Sequence, residues 1–161
     1  MTRRMLIAAL AIAAVSTPAA IAQTSHEGWP KINGQTWINK HDRSTSHHGT
    51  AKNDELLGGH GSDAIHAGPW GDVIWGDYKP SGQPTIQHDQ LWGGPGRDHI
   101  YASHGRNAIR AGGGNDWIKA HFGSGLVNCG AGNDLLYISR RAQKHYKIRN
   151  CERISHKTLG R

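Results

Sequence analysis

Apart from one run near its start, the chain has no long hydrophobic stretch. It has only two cysteines, and its acids are outnumbered, 12 Asp and Glu against 19 Lys and Arg. Each shortage excludes something. The apolar run from Met5 to Val15 holds eleven residues, too few to span a bilayer, which takes about 20. Two cysteines, Cys129 and Cys151, leave room for one disulfide at most. No segment offers the sustained amphipathic period of a long helix, and the glycine content of the middle argues against one. Catalytic signatures are missing as well: there is no G-x-S-x-G elbow, no H-E-x-x-H helix and nothing that marks a general base.

The beginning and end differ from the middle. Arg3-Arg4, the apolar run and then Ala20-Ile21-Ala22 follow the basic, apolar, small-residue order of a secretory signal peptide, so residues 1–22 read as a leader and the mature chain as exported from Gln23. Without Arg3 and Arg4 the net charge is about +5 with histidine neutral. In an oxidising compartment the even cysteine pair favours a Cys129–Cys151 disulfide, closing a loop of about twenty residues worth ~3 kcal/mol; two free buried thiols are the alternative. Residues 23–48 carry no regular period and read as an N-terminal cap, with one strand near Trp37 and Ile38 and a polar loop over 41–52. Residues 139–161 set eight Lys and Arg against the single acid Glu152 and read as a basic C-terminal cap with a last strand inside 146–154.

What the chain has in abundance is glycine at a fixed spacing. Nineteen of its 22 glycines lie between Gly49 and Gly132. From Gly93 the sequence runs GGPGRDHIY, ASHGRNAIR, AGGGNDWIK, AHFGSGLVN, CGAGND, a nine-residue unit G-G-x-G-x-D-x-U-x in which U is a large aliphatic residue. The U positions are Leu56, Ile65, Ile74, Leu91, Ile100, Ile109, Ile118, Val127 and Leu136. Such a unit buries its apolar side only by stacking on its neighbours. The expected fold is therefore all-β, a parallel β-solenoid spanning 49–138. Seventeen residues separate Asp72 from Asp89, and the proline-bearing stretch 76–88 reads as an irregular loop replacing a regular unit.

The units GGHGSD at 58–63, GGPGRD at 93–98, AGGGND at 111–116 and CGAGND at 129–134 resemble haemolysin-type (RTX) calcium-binding repeats of short secreted bacterial proteins. The resemblance implies a right-handed parallel β-roll holding calcium between stacked turns. Calcium takes six to eight oxygens at about 2.3–2.6 Å. Glycine lets a turn aim carbonyl oxygens inward, and the Asp at the sixth position supplies charge. Metal binding and folding should then be one event.

Two units make one coil, so turns eighteen residues apart stack. Asp98, Asp116 and Asp134 share a side, and Asp89, Asn107 and Gly125 lie opposite. The expected site is a column of Gly93, Gly94, Gly96 and Asp98; Ala111, Gly112, Gly114 and Asp116; and Cys129, Gly130, Gly132 and Asp134, holding about two calcium ions or more. With one residue of slippage across the 76–88 loop, Gly58, Gly59, Gly61 and Asp63 join that side. Asp54 and Asp72 fall on the poorer side and, with Asp89, are weaker candidates.

Other features compete. Twelve histidines include His41, His47 and His48, close enough in sequence for zinc or copper; His60 and His104 fill the variable third turn position and read as solvated. Protonation below about pH 6.5 would add positive charge and weaken calcium binding. Trp75 and Trp92 hold the same repeat position, and beside Arg110 they offer a ligand surface for an anionic polysaccharide or another cell-surface polymer. The duller alternative is that they cover the base of the loop. Paired acids on a solenoid also serve polysaccharide-modifying enzymes. The favoured reading is a non-catalytic, calcium-binding, exported structural or adhesive module, with carbohydrate binding or modification as the alternative and no specific nucleic-acid signal.

Overall fold

The computed structural model describes residues 28–79, 82 and 84–157; the leader read at 1–22 lies outside them. The chain winds between two parallel sheets. The first contains β1 (Thr36–Ile38), β3 (Glu55–Leu57), β5 (Val73–Trp75), β7 (His99–Tyr101), β9 (Trp117–Lys119), β11 (Leu135–Tyr137) and β13 (Arg153–Ser155), stacked in that order. The second runs β2 (Ser46–His48), β4 (Ala64–His66), β6 (His88–Pro95), β8 (Arg106–Gly113), β10 (Ser124–Ala131) and β12 (Tyr146–Arg149). Odd and even strands alternate along the chain, so each coil contributes one strand to each sheet.

Short strands suit this repeat because only its U residue faces inward. In the first sheet Leu56, Ile74, Ile100, Ile118 and Leu136 stand in register, and in the second Ile65, Leu91, Ile109 and Val127 do. All nine are fully buried, each stabilising the fold by roughly 1.5–3 kcal/mol. Trp37, one rung before Leu56, and Ile148, one rung after Val127, pack against this core. The sheets join through turns, which form two columns along opposite edges.

Several local expectations change. The stretch read as a polar loop contains β2, which pairs with β4 and puts His47 at the U position beside Ile65. The C-terminal segment supplies two strands. A four-residue helix, α1 (Arg140–Gln143), takes the place of a glycine turn in the last coil, its N-terminus capped by Ser139. Cys129 and Cys151 form a disulfide. Among the described residues no helix is long and apolar enough to cross a membrane.

The largest correction concerns the loop at 76–88. Strand β5 pairs with β7, so Val73 stands beside His99, 26 residues on, where the regular coil is 18. The stretch does not replace a unit. It lengthens one crossover by eight residues and leaves the order of sides unchanged.

Candidate metal centre

Along one edge the turns 49–54, 67–72, 93–98, 111–116 and 129–134 stack, and their sixth residues form a ladder. The amide of Asp54 donates to Asp72 Oδ1 at 2.7 Å, that of Asp72 to Asp98 Oδ1 at 2.8 Å, that of Asp98 to Asp116 Oδ1 at 2.9 Å and that of Asp116 to Asp134 Oδ1 at 2.8 Å. Asp134 donates in turn to Glu152 Oε2 at 2.9 Å. Each Oδ1 thus satisfies the amide of the preceding coil.

The second oxygen is left over. Oδ2 of Asp72, Asp98, Asp116 and Asp134 is buried without a hydrogen-bond partner. Unpaired charge in such surroundings is costly. Burial chiefly, opposed by the amide bonds and reinforced by the neighbouring carboxylates, pushes Asp98 up to about 8 and Asp116 up to about 6. Asp72 rises to about 7 and Asp134 shifts in the same direction, burial again leading.

The backbone around these oxygens is shaped by the glycines. Gly112 and Gly130 have φ of +117° and +110°. A Cβ on Gly112 would run into the Gly94 carbonyl oxygen, and one on Gly130 into that of Gly112. Successive carbonyls therefore face the gap between turns, which a larger residue would fill. Strands β6, β8 and β10 extend into this edge, pairing Gly94 with Gly112 and Gly112 with Gly130. Orphaned carboxylate oxygens beside stacked carbonyls form an all-oxygen donor set of the kind calcium takes. Calcium would supply the positive charge that lets these acids ionise together.

The column is uneven at its start. Asp54 is fully engaged: Thr50 Oγ1 donates to Oδ1 at 2.8 Å and to Oδ2 at 3.0 Å, and Gln35 donates its amide to Oδ1 at 2.6 Å. In turn 67–72, Trp70 stands where Gly96, Gly114 and Gly132 stand in the better turns. It holds φ at +82° and is largely exposed.

The opposite edge is built differently. Asp63 donates its amide to Asp89 Oδ1 at 3.0 Å and accepts at its own Oδ1 from Asn39 and Thr45. Both residues keep a buried, unpartnered Oδ2, and burial is the leading cause that raises Asp63 to about 6 and Asp89 to about 7. The inserted crossover ties back here: Asp77 Oδ2 lies 2.6 Å from His60 Nδ1, and Gly61 donates to Gln87 Oε1 at 3.2 Å.

One coil further, the chain closes the edge with its own side chains. Asn107 accepts at Oδ1 from the Ser103 amide at 3.0 Å. Its Nδ2 donates to the carbonyls of Ser103 and Gly105 at 3.1 and 3.2 Å and to the Tyr146 hydroxyl at 2.9 Å. That hydroxyl donates to the Phe122 carbonyl in the next turn at 3.0 Å. An amide and a phenol thus engage carbonyls from two successive turns, and Gly125 has no side chain to add.

Placed on this frame, the sequence expectations divide. Asp98, Asp116 and Asp134 share one edge as expected. Asp54 and Asp72 share it too, and Asp63 lies on the other edge with Asp89. Both assignments reverse because the loop lengthens a crossover and does not remove a unit. Trp75 and Trp92 are not neighbours: Trp75 stacks on Tyr101 in the first sheet, and Trp92 stacks on His66 in the second, with Arg110 over it. His60 meets Asp77 and His104 stacks on Phe122, so neither is a freely solvated turn residue. His47 and His48 stack on Trp37 and His66 respectively. Glu152 was missed as the last rung of the ladder, although it lies 18 residues after Asp134. The Asn107–Tyr146 pair, 39 residues apart, left no sequence signal.

The family model for the RTX calcium-binding nonapeptide repeat matches in four copies, over residues 48–69 and 85–119. No curated protein and no solved structure gives a significant match.

Proposed function

We propose that this RTX repeat protein is an exported, non-catalytic structural or adhesive module whose fold is completed by calcium, held chiefly along the edge of Asp72, Asp98, Asp116 and Asp134. One observation carries the reading: four in-register carboxylates each spend one oxygen on a backbone amide and leave the other buried and unpartnered. The turns 93–98, 111–116 and 129–134 keep the glycines at positions two and four. The two gaps between them are the first places for ions, and the gap between 67–72 and 93–98 is a third. Asp63 and Asp89 form a secondary level on the opposite edge. On this reading the repeat acids serve backbone amides through one oxygen and calcium through the other. We assign a capping role to the segments around Trp37 and Ile148, which pack against the core.

Isothermal titration of the metal-free mature chain with calcium, followed by circular dichroism, tests the reading. The expected result is binding of at least two ions with a gain of strand signal. No binding at millimolar calcium would overturn it.

A further inference from the structure

The outer face of the second sheet carries a row of side chains that calcium binding does not use. Register places His48, His66, Trp92, Arg110, Asn128 and Arg149 side by side, one per strand. The rings of His48 and His66 stack at 4.7 Å and those of His66 and Trp92 at 3.9 Å, nearly parallel, and the Arg110 guanidinium lies 5.6 Å from the Trp92 ring. Both faces of His66 and Trp92 are therefore spent on neighbours. What the row turns outward is ring edges and guanidinium groups, which are hydrogen-bond donors, and not flat aromatic surfaces.

The surroundings have one sign of charge. Beside the row a groove of about 590 Å³ is lined by His88, Arg106, Lys147 and Arg149 among others. The outward positions of β2, β4, β6, β8, β10 and β12 include no Asp or Glu; Asp89, which reaches the groove, is buried.

We infer that this face binds an acidic polysaccharide laid along the solenoid axis. Charge complementarity selects a polyanion. Parallel strands repeat about every 4.8 Å, close to the length of one pyranose unit in an extended chain, so successive acidic sugars meet successive strands. The donors suit carboxylate or sulfate groups, with arginine able to bind them in a bidentate manner. Single-stranded nucleic acid is disfavoured because it needs free aromatic faces for its bases, and the ladder stacking leaves His66 and Trp92 none. The inference rests on strand register and not on how many calcium ions bind.

Titration of the calcium-loaded mature chain with short uronic-acid oligosaccharides, below the length that gels with calcium, tests it. Neutral oligosaccharides of the same linkage and single-stranded DNA serve as competitors. Binding to the uronates is expected, weakened about tenfold or more in Arg110→Glu and in Arg149→Glu, the scale of a lost hydrogen bond to a charged group. Lys119→Glu, an equal charge change on the opposite sheet, should leave binding intact. Equal binding of the neutral sugar, an equal loss in Lys119→Glu, or tighter binding of the DNA would each overturn the inference. Circular dichroism on every variant separates loss of this surface from loss of the calcium-supported fold, because only the latter removes the strand signal.

Discussion

The two edges of the solenoid start from one nine-residue unit and solve the same electrostatic problem in different ways. A glycine turn gathers carbonyl oxygens, and something positive or hydrogen-donating must face them. Along the edge of Asp72 to Asp134 the chain adds more oxygen, through carboxylates whose second atom has no partner, and under the proposed function it takes its cation from outside. Along the other edge, past Asp89, it supplies donors of its own, the Asn107 amide and the Tyr146 hydroxyl. A change from Asp to Asn at one rung is small in volume and inverts this requirement, because an amide nitrogen donates where a carboxylate oxygen only accepts. The comparison teaches that a degenerate repeat can keep its scaffold while replacing a carboxylate that lacks a partner with side chains that satisfy one another.

The sharpest way to break the contrast is to remove a rung from the dependent edge. Asp116 borders two gaps between turns, and Asp116→Ala should lose at least one ion by titration. At calcium a hundredfold above the Kd, each lost site lowers stability by about 2.7 kcal/mol, measurable by denaturant unfolding. The same substitution at Asp54, already satisfied by Thr50 and Gln35, should leave the ion count unchanged.

Converting the independent edge comes next. Asn107→Asp removes the donors to Ser103, Gly105 and Tyr146 and adds a buried charge. Without calcium it should cost about 2 kcal/mol. With calcium, titration should show an additional ion and recovery of part of that loss.

Acidity acts on the buried carboxylates of both edges without mutation, most strongly at Asp98. Asp98 and Asp72 are raised to about 8 and about 7 in the metal-free fold, and burial is the main cause. Their contribution to stability is full below the ordinary carboxylate range and is lost as pH rises through those values, since the unfolded chain ionises first. Metal-free protein should therefore unfold more readily at pH 8 than at pH 6.5. Below about 6.5 histidine protonation begins to oppose the trend. Unfolding curves in chelator at the two pH values check the sign, and saturating calcium should flatten the difference.

Smaller effects refine the picture. Tyr146→Phe leaves the Asn107 amide and the Phe122 carbonyl one partner short and should cost about 1–2 kcal/mol, equally with and without calcium and with no change in ion count. Trp70→Gly relieves a positive φ at an exposed residue and should stabilise the calcium-loaded protein by about 1 kcal/mol, read as a shift in the thermal midpoint.

Most of this architecture was legible in the residue order. A period of nine with an aliphatic U residue leaves one way to bury the apolar side, so the nine core positions, the parallel winding and the stacking of Asp98 on Asp116 on Asp134 follow from the sequence alone. Periodicity fails where the period is broken. Seventeen residues between Asp72 and Asp89 fit a shortened pair of units or a lengthened single one equally well, and the two put Asp63 on opposite edges. Only the hydrogen-bonded register of β5 on β7 and β4 on β6 decides between them, because pairing is a contact between distant segments. The same holds for Tyr146 against Asn107 and for Glu152 at the end of the ladder: residue type announces an acceptor or a donor, and the tertiary fold selects its partner.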